Sequence, residues 1–108
     1  MRYVFLNALP LNALGITKPT KLTVTPVSPG VLRQLAPEMK PRVSFIRHPA
    51  TVRLVNDLLG LGLKPESGLY HYEEGDVLIV ITLKRPVRGA EVSNLTENDI
   101  EVFQVEVF

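Results

Sequence analysis

Residues 43–59 have the sequence VSFIRHPATVRLVNDLL, in which an apolar run leads directly into a helical pattern. Val43–Ile46 predicts a buried strand. Pro49 suits the first position of a helix, where a missing N–H costs nothing. Three apolar side chains then share one face of a helix over 49–59: Val52, Val55 and Leu59. The middle of the chain is therefore a strand-to-helix junction, which is typical of an α/β fold.

This junction is a candidate anion site. Free N–H groups and the positive end of the helix dipole lie at the start of the helix, next to Arg47, His48 and Thr51. A histidine beside a bound phosphate can protonate a leaving oxygen near neutral pH. The alternative interpretation is that His48 only precedes the helix and packs against it.

The rest of the chain continues the alternation of strands and short helices. Further strands are predicted over 3–6, 21–25, 77–83 and 103–107. Helical turns are predicted near Pro10, over 29–35 and over 96–99. Residues 69–72 and 77–83 have the pattern of a hairpin whose second arm, apolar throughout, is a central strand. His71, between two tyrosines of the first arm, is predicted to be structural.

Composition excludes several classes of protein. A chain of 108 residues is expected to form one domain over 1–108. It has no cysteine and two histidines, which argues against a disulfide framework, a thiolate site or a histidine-rich zinc site. No apolar run approaches the roughly 20 residues that span a bilayer, and no signal peptide is evident. We expect a soluble, cytoplasmic protein without a metal or cofactor.

The charge is unevenly distributed along the chain. Residues 1–56 contain eight lysines and arginines and one acidic residue, whereas residues 57–108 contain four basic and ten acidic residues. The basic half contains the helix junction and favours an anionic ligand at one end of the molecule. The alternative is that the two halves neutralise each other across the fold. A long nucleic acid is not expected, because no continuous basic stripe with interleaved aromatic residues is present.

Polar residues follow several of the predicted strands. Asn7 follows the first strand and His48 the third, so they converge with Asn12 if those strands run parallel. Arg85 and Arg88 follow the central strand, and arginine can clamp a phosphate with two hydrogen bonds. The alternatives are turn chemistry for the asparagines and a solvated loop for the arginines.

The chemistry that remains is metal-independent cleavage of a phosphate ester. The sequence contains no glycine-rich phosphate loop, serine elbow or dinucleotide fingerprint, and no acidic cluster in the basic half. In RNA the 2′-hydroxyl can attack the neighbouring phosphorus, so the protein need only align the groups and neutralise charge. A general acid then assists departure of the 5′-oxygen.

Two motifs carry a resemblance to a known family. Asn7-Ala8-Leu9-Pro10-Leu11-Asn12 and His48-Pro49-Ala50-Thr51-Val52-Arg53-Leu54-Val55-Asn56 resemble the viral ring nucleases, a type III anti-CRISPR family. The similarity extends over nearly the whole chain. It implies a mixed sheet of about five to six strands flanked by short helices, a two-fold homodimer, and cyclic tetra-adenylate as the ligand at the dimer interface.

The resemblance also implies roles for individual residues. The family cleaves this second messenger of type III CRISPR defence to linear di-adenylates with a cyclic phosphate end, without a metal. His48 matches the catalytic histidine and Arg85 an active-site arginine. The ligand-contacting set is Asn7 and Asn12, and we add to it Leu11, Arg47, Thr51 and Arg88.

The chain departs from the family pattern at two positions. A family member has a glutamate near the active site where this chain has Arg88, and a ligand-contacting arginine near the position of Ser67. The helix before the last strand is also shortened to about 95–99. Because of these differences, a second alternative is a protein that binds a cyclic oligoadenylate without cleaving it. A small DNA-binding protein is a third alternative, opposed by the nearly neutral charge.

Overall fold

Five strands form a mixed sheet in the order β2-β5-β4-β1-β3 within the part of the chain that the structure describes. The structure is a computed structural model that describes residues 2–46, 49–63, 68–84 and 96–108. The strands are β1 Tyr3–Leu6, β2 Leu22–Val27, β3 Arg42–Ser44, β4 Val77–Leu83 and β5 Ile100–Val107. β1 pairs in parallel with β3 and β4, whereas β5 is antiparallel to β4 and β2. The expected α/β fold with a mixed sheet is confirmed.

Two helices cover one face of the sheet. α1 spans Pro29–Leu35 and begins where the Ser28 hydroxyl accepts a hydrogen bond of 3.2 Å from the Val31 N–H, as expected of an N-cap. α2 spans Pro49–Leu59, the predicted range, and is followed by Gly60 at φ 65°. Short 3-10 turns occupy Leu11–Leu14, Ala36–Glu38 and Glu97–Asp99.

β4 is apolar from Val77 to Ile81 because both of its faces are buried there. Ile79 and Ile81 contribute to a core cluster that includes Val52 and Val55 of α2. Leu78 and Val80 contribute to a second cluster on the other face of the sheet. This alternation of side chains between two cores explains the continuous hydrophobic run and confirms that β4 is a central strand.

The predicted hairpin of residues 69–72 with β4 is wrong. Both edges of β4 already carry a partner, β1 on one side and β5 on the other, so a hairpin arm has no edge to join. Residues 69–72 instead contain no strand, and the Tyr72 N–H donates to the Ala13 carbonyl at 2.9 Å. Among the described residues, no helix is long and apolar enough to cross a membrane.

Candidate functional site

The carboxyl ends of three strands lie along one edge of the sheet. β4, β1 and β3 are neighbours and run parallel, so Asn7 follows β1 on the same edge where β3 leads towards α2 and where β4 ends at Leu83. Ligands of open α/β sheets bind beyond such ends. The condition on which the sequence interpretation depended, that the first and third strands run parallel, is confirmed.

A cleft of about 340 Å³ opens at this edge, and we call it the asparagine cleft. Its polar lining is provided by Asn7, Asn12 and His71. Its apolar lining comes from both sides of the β1 end and includes Leu6, Ala13, Phe45 and Tyr70. The volume is at the small end of ordinary ligand pockets, which span about 300–1,000 Å³. Apolar walls with a few convergent polar groups are the usual composition of such pockets.

The local sequence explains how the two asparagines reach the same cleft. Asn7 is the residue after β1, and Asn12 lies in the 3-10 turn that folds back over the second core cluster through Leu14. Gly15 ends this turn at φ 66°, a left-handed conformation that favours glycine. Both asparagine side chains are exposed. Their assignment to ligand binding stays a prediction, now with a common location.

Two other predicted contact residues have different surroundings. Leu11 is 57% exposed and lies between two residues that line the cleft, Pro10 and Asn12. Thr51 is in the first turn of α2 with 3% of its surface exposed. Its side chain is therefore covered, and the prediction for this position concerns the free backbone N–H groups at the start of α2.

Four predicted residues lie outside the described part of the chain: Arg47, His48, Arg85 and Arg88. The described residues beside them fix where the chain enters and leaves these segments. Ile46 is fully buried and Pro49 begins α2. Lys84 follows β4, and its N–H donates to the Asp99 carbonyl at 2.8 Å.

A buried carboxylate stabilises one wall of the asparagine cleft. Asp76 is 4% exposed and accepts hydrogen bonds from Arg2 Nε at 2.9 Å, the Tyr70 hydroxyl at 2.5 Å and the Glu73 N–H at 3.0 Å. The ring of Tyr70 in turn contacts the ring of Phe45, with centroids 5.3 Å apart. Tyr70 and Phe45 both line the cleft, so this network holds together two of its walls.

Hydrogen bonds and the ion pair with Arg2 stabilise the charged form of Asp76 in this network. Burial alone raises the pKa of Asp76, but the hydrogen bonds from Arg2 and Tyr70 outweigh burial and leave the pKa below its usual value. Burial and the hydrogen bond to Asp76 raise the pKa of Tyr70. Arg2 belongs to the basic half of the sequence and Asp76 to the acidic half, so this ion pair does neutralise charge across the fold.

His71 is a residue of the cleft that the sequence interpretation missed. It was predicted to be structural within a strand, but it is exposed and lines the cleft with Asn7 and Asn12. The alternation of Tyr70, His71 and Tyr72 contained a signal, because two inward tyrosines place the residue between them on the outside. Among the described residues, no group of three or more His, Cys, Asp or Glu is placed to hold a metal ion.

Comparison with known proteins places this chain in a family. The model of the STIV B116-like family matches residues 8–107. The fold is similar to that of B116 of Sulfolobus turreted icosahedral virus, with a TM-score of 0.77 over 97% of this chain and 98% of B116, at 22% sequence identity. No curated protein matches the chain. Because the family model covers nearly the whole sequence, this chain belongs to the STIV B116-like family.

Proposed function

We propose that this protein is a metal-independent ring nuclease that binds cyclic tetra-adenylate and cleaves it, thereby ending type III CRISPR signalling in the cytoplasm. One observation carries the proposal. Asn7 and Asn12 line one cleft at the sheet edge where β3 leads into α2, and the motif that begins at His48 spans the start of that helix. Both motifs that resemble the viral ring nucleases are thus associated with one edge of the sheet.

The proposed reaction uses the RNA ligand as its own nucleophile. The 2′-oxygen of one adenosine forms a bond to the adjacent phosphorus, and the bond from phosphorus to the 5′-oxygen of the next nucleotide breaks. The 2′-hydroxyl loses its proton to water, and the departing 5′-oxygen gains one from His48, which takes up a proton from water before the next cut. Two such cuts at opposite phosphates convert the ring into two linear di-adenylates, each with a 2′,3′-cyclic phosphate.

The protein contributes alignment and charge. In the proposed complex, Asn7, Asn12 and the N–H groups near Thr51 position the ring, with Leu11 beside them. Arg85, with Arg47, offsets the charge that accumulates on the phosphate oxygens during attack. The two hydrogen bonds of a bidentate guanidinium become stronger as charge develops on the phosphate oxygens. An arginine after the central strand can therefore assist cleavage.

The proposal includes a homodimer. A ring of four identical nucleotides has a two-fold axis that a symmetric dimer can share. Two copies of His48 then face two opposite phosphates, so a small domain with one suitable histidine gains a site with two.

A protein that binds a cyclic oligoadenylate without cleaving it is the second candidate. It is favoured by Arg88, which stands where a member of the ring nuclease family has a glutamate near the active site. In that case Arg88 contributes positive charge to ligand binding, and the ring is sequestered or sensed intact.

Incubation with cyclic tri-, tetra- and hexa-adenylate in EDTA, followed by chromatography, tests both candidates. Linear products from the tetra-adenylate ring support the ring nuclease. A thermal shift without products supports the binding protein. If the ring causes no thermal shift and no products form, both candidates are refuted.

A further inference from the structure

Residues 68–71 line one wall of the asparagine cleft, and the segment 68–76 that contains them is firmly attached to the rest of the protein. Tyr70 is buried in the second core cluster, and Tyr72 packs against the same cluster. The Tyr72 N–H bonds to the Ala13 carbonyl at 2.9 Å, and the Tyr70 hydroxyl bonds to Asp76. The two tyrosines therefore fix the backbone on both sides of His71.

This attachment determines where the His71 imidazole can act. Tyr70 is buried and Tyr72 partly buried, whereas His71 between them is exposed and lines the cleft. An exposed histidine by itself does not indicate a binding role. Here, however, the backbone that presents it is restrained by packing and hydrogen bonds, which is what a contact residue needs to bind without a large loss of entropy.

The described lining of the asparagine cleft suits an aromatic base. Its apolar surface includes the rings of Phe45 and Tyr70, and its polar groups include the Asn7 and Asn12 amides. Asparagine amides can pair with the N6 and N7 edge of adenine. Unstacked bases are recognised by stacking on aromatic side chains, histidine included.

We propose that the asparagine cleft is a base subsite and that His71 stacks on the adenine whose edge the asparagine amides bind. This inference rests on the proposed function for the identity of the ring, and it adds a specificity residue to it. His71 contacts the base, not the reacting phosphate. Its loss should therefore weaken binding and raise KM, while the single-turnover rate at saturating ligand stays near that of the wild type.

The test compares His71→Ala and His71→Phe with the wild type, with Glu74→Ala as the control. Glu74 is exposed in the same segment and is not part of the cleft lining. Loss of one base stacking interaction should weaken binding of cyclic tetra-adenylate about 5- to 150-fold in His71→Ala. His71→Phe keeps an aromatic face and should bind within roughly threefold of the wild type. Glu74→Ala should bind like the wild type, and melting curves verify that each variant folds.

The outcomes separate this inference from the proposed function. If the wild type binds the ring and His71→Ala binds it equally well, His71 has no role and the proposed function stands. If His71→Phe is as weak as His71→Ala, the stacking role is refuted. Adenosine monophosphate is the second probe. If the wild type binds adenosine monophosphate but not the cyclic tetra-adenylate, the proposed function fails. Binding of adenosine monophosphate to the same variants then decides whether His71 stacks on the base. If neither probe binds the wild type, both proposals are refuted.

Discussion

Replacing Asp76 by alanine tests whether the buried network holds the cleft wall in place. The substitution removes the acceptor of three groups: the Arg2 guanidinium, the Tyr70 hydroxyl and the Glu73 N–H. The Tyr70 hydroxyl is left without its acceptor in a buried position, which costs about 1–3 kcal/mol. The Arg2 side chain is 26% exposed and can turn towards water, so the lost ion pair adds only about 1 kcal/mol.

The sum predicts that Asp76→Ala lowers the free energy of unfolding by about 2–4 kcal/mol. For a chain of this length the loss corresponds to a decrease in Tm of about 9–18 °C. The assay is thermal unfolding followed by circular dichroism at pH 7. Asp57→Ala is the matched control, because Asp57 is an exposed aspartate on α2 and its loss should change stability by less than about 0.5 kcal/mol. A loss in Asp76→Ala no larger than in the control refutes the reasoning.

Three further predictions follow from the network and the proposed site. Because the pKa of Asp76 is lowered in the folded protein, its stabilisation is fully present above its unfolded pKa of about 3.9 and disappears as the pH falls through the lower folded value. Tm measured between pH 2 and 7 should therefore fall more steeply in acid for the wild type than for Asp76→Asn, and equal slopes contradict the assignment. Arg85→Ala should slow single-turnover cleavage more than Arg88→Ala does. Arg85→Lys should also slow cleavage, because lysine cannot form the two hydrogen bonds of a guanidinium. If rapid-quench measurements show a larger effect of Arg88→Ala, Arg88 is the active-site arginine. The protein should sediment as a homodimer at micromolar concentration, and a fully active monomer contradicts the shared two-fold site.

Local signals in the sequence predicted much of the fold. The proline and the apolar spacing of α2 predicted its first and last residues, and the helical segment predicted over 29–35 is α1. The continuous apolar run of β4 correctly indicated a strand buried on both faces. These signals are local: each depends on the conformational preferences and burial of residues within a few positions of one another.

Pairing between distant segments was not predictable in the same way. The apolar pattern of β4 indicates that the strand is central but does not identify which strands occupy its edges, and the predicted hairpin failed for that reason. Arg2 and Asp76 are separated by 74 positions, and no local pattern indicated that they meet. The alternation of the neighbouring tyrosines indicated that His71 faces outward, but the cleft that it lines depends on how those tyrosines pack in the second core cluster.

The candidate site was predicted in part. Asn7 and Asn12 were expected to converge and do line one cleft, because they flank a short connection after β1. Thr51 is buried in the first turn of α2, and the predicted role of the N–H groups near it stays a prediction. The predicted roles of Arg47, His48, Arg85 and Arg88 remain predictions, since these residues lie outside the described part of the chain.

The most direct test of the central claim is a single-turnover reaction of the wild type and His48→Ala with cyclic tetra-adenylate in EDTA, resolved by chromatography and mass spectrometry. The proposed mechanism predicts that the wild type yields linear di-adenylates ending in a 2′,3′-cyclic phosphate. It also predicts that His48→Ala binds the ring but cleaves it about 10²- to 10⁴-fold more slowly. An intact ring with the wild type, cleavage only after manganese or magnesium is restored, or near-normal turnover by His48→Ala would contradict it.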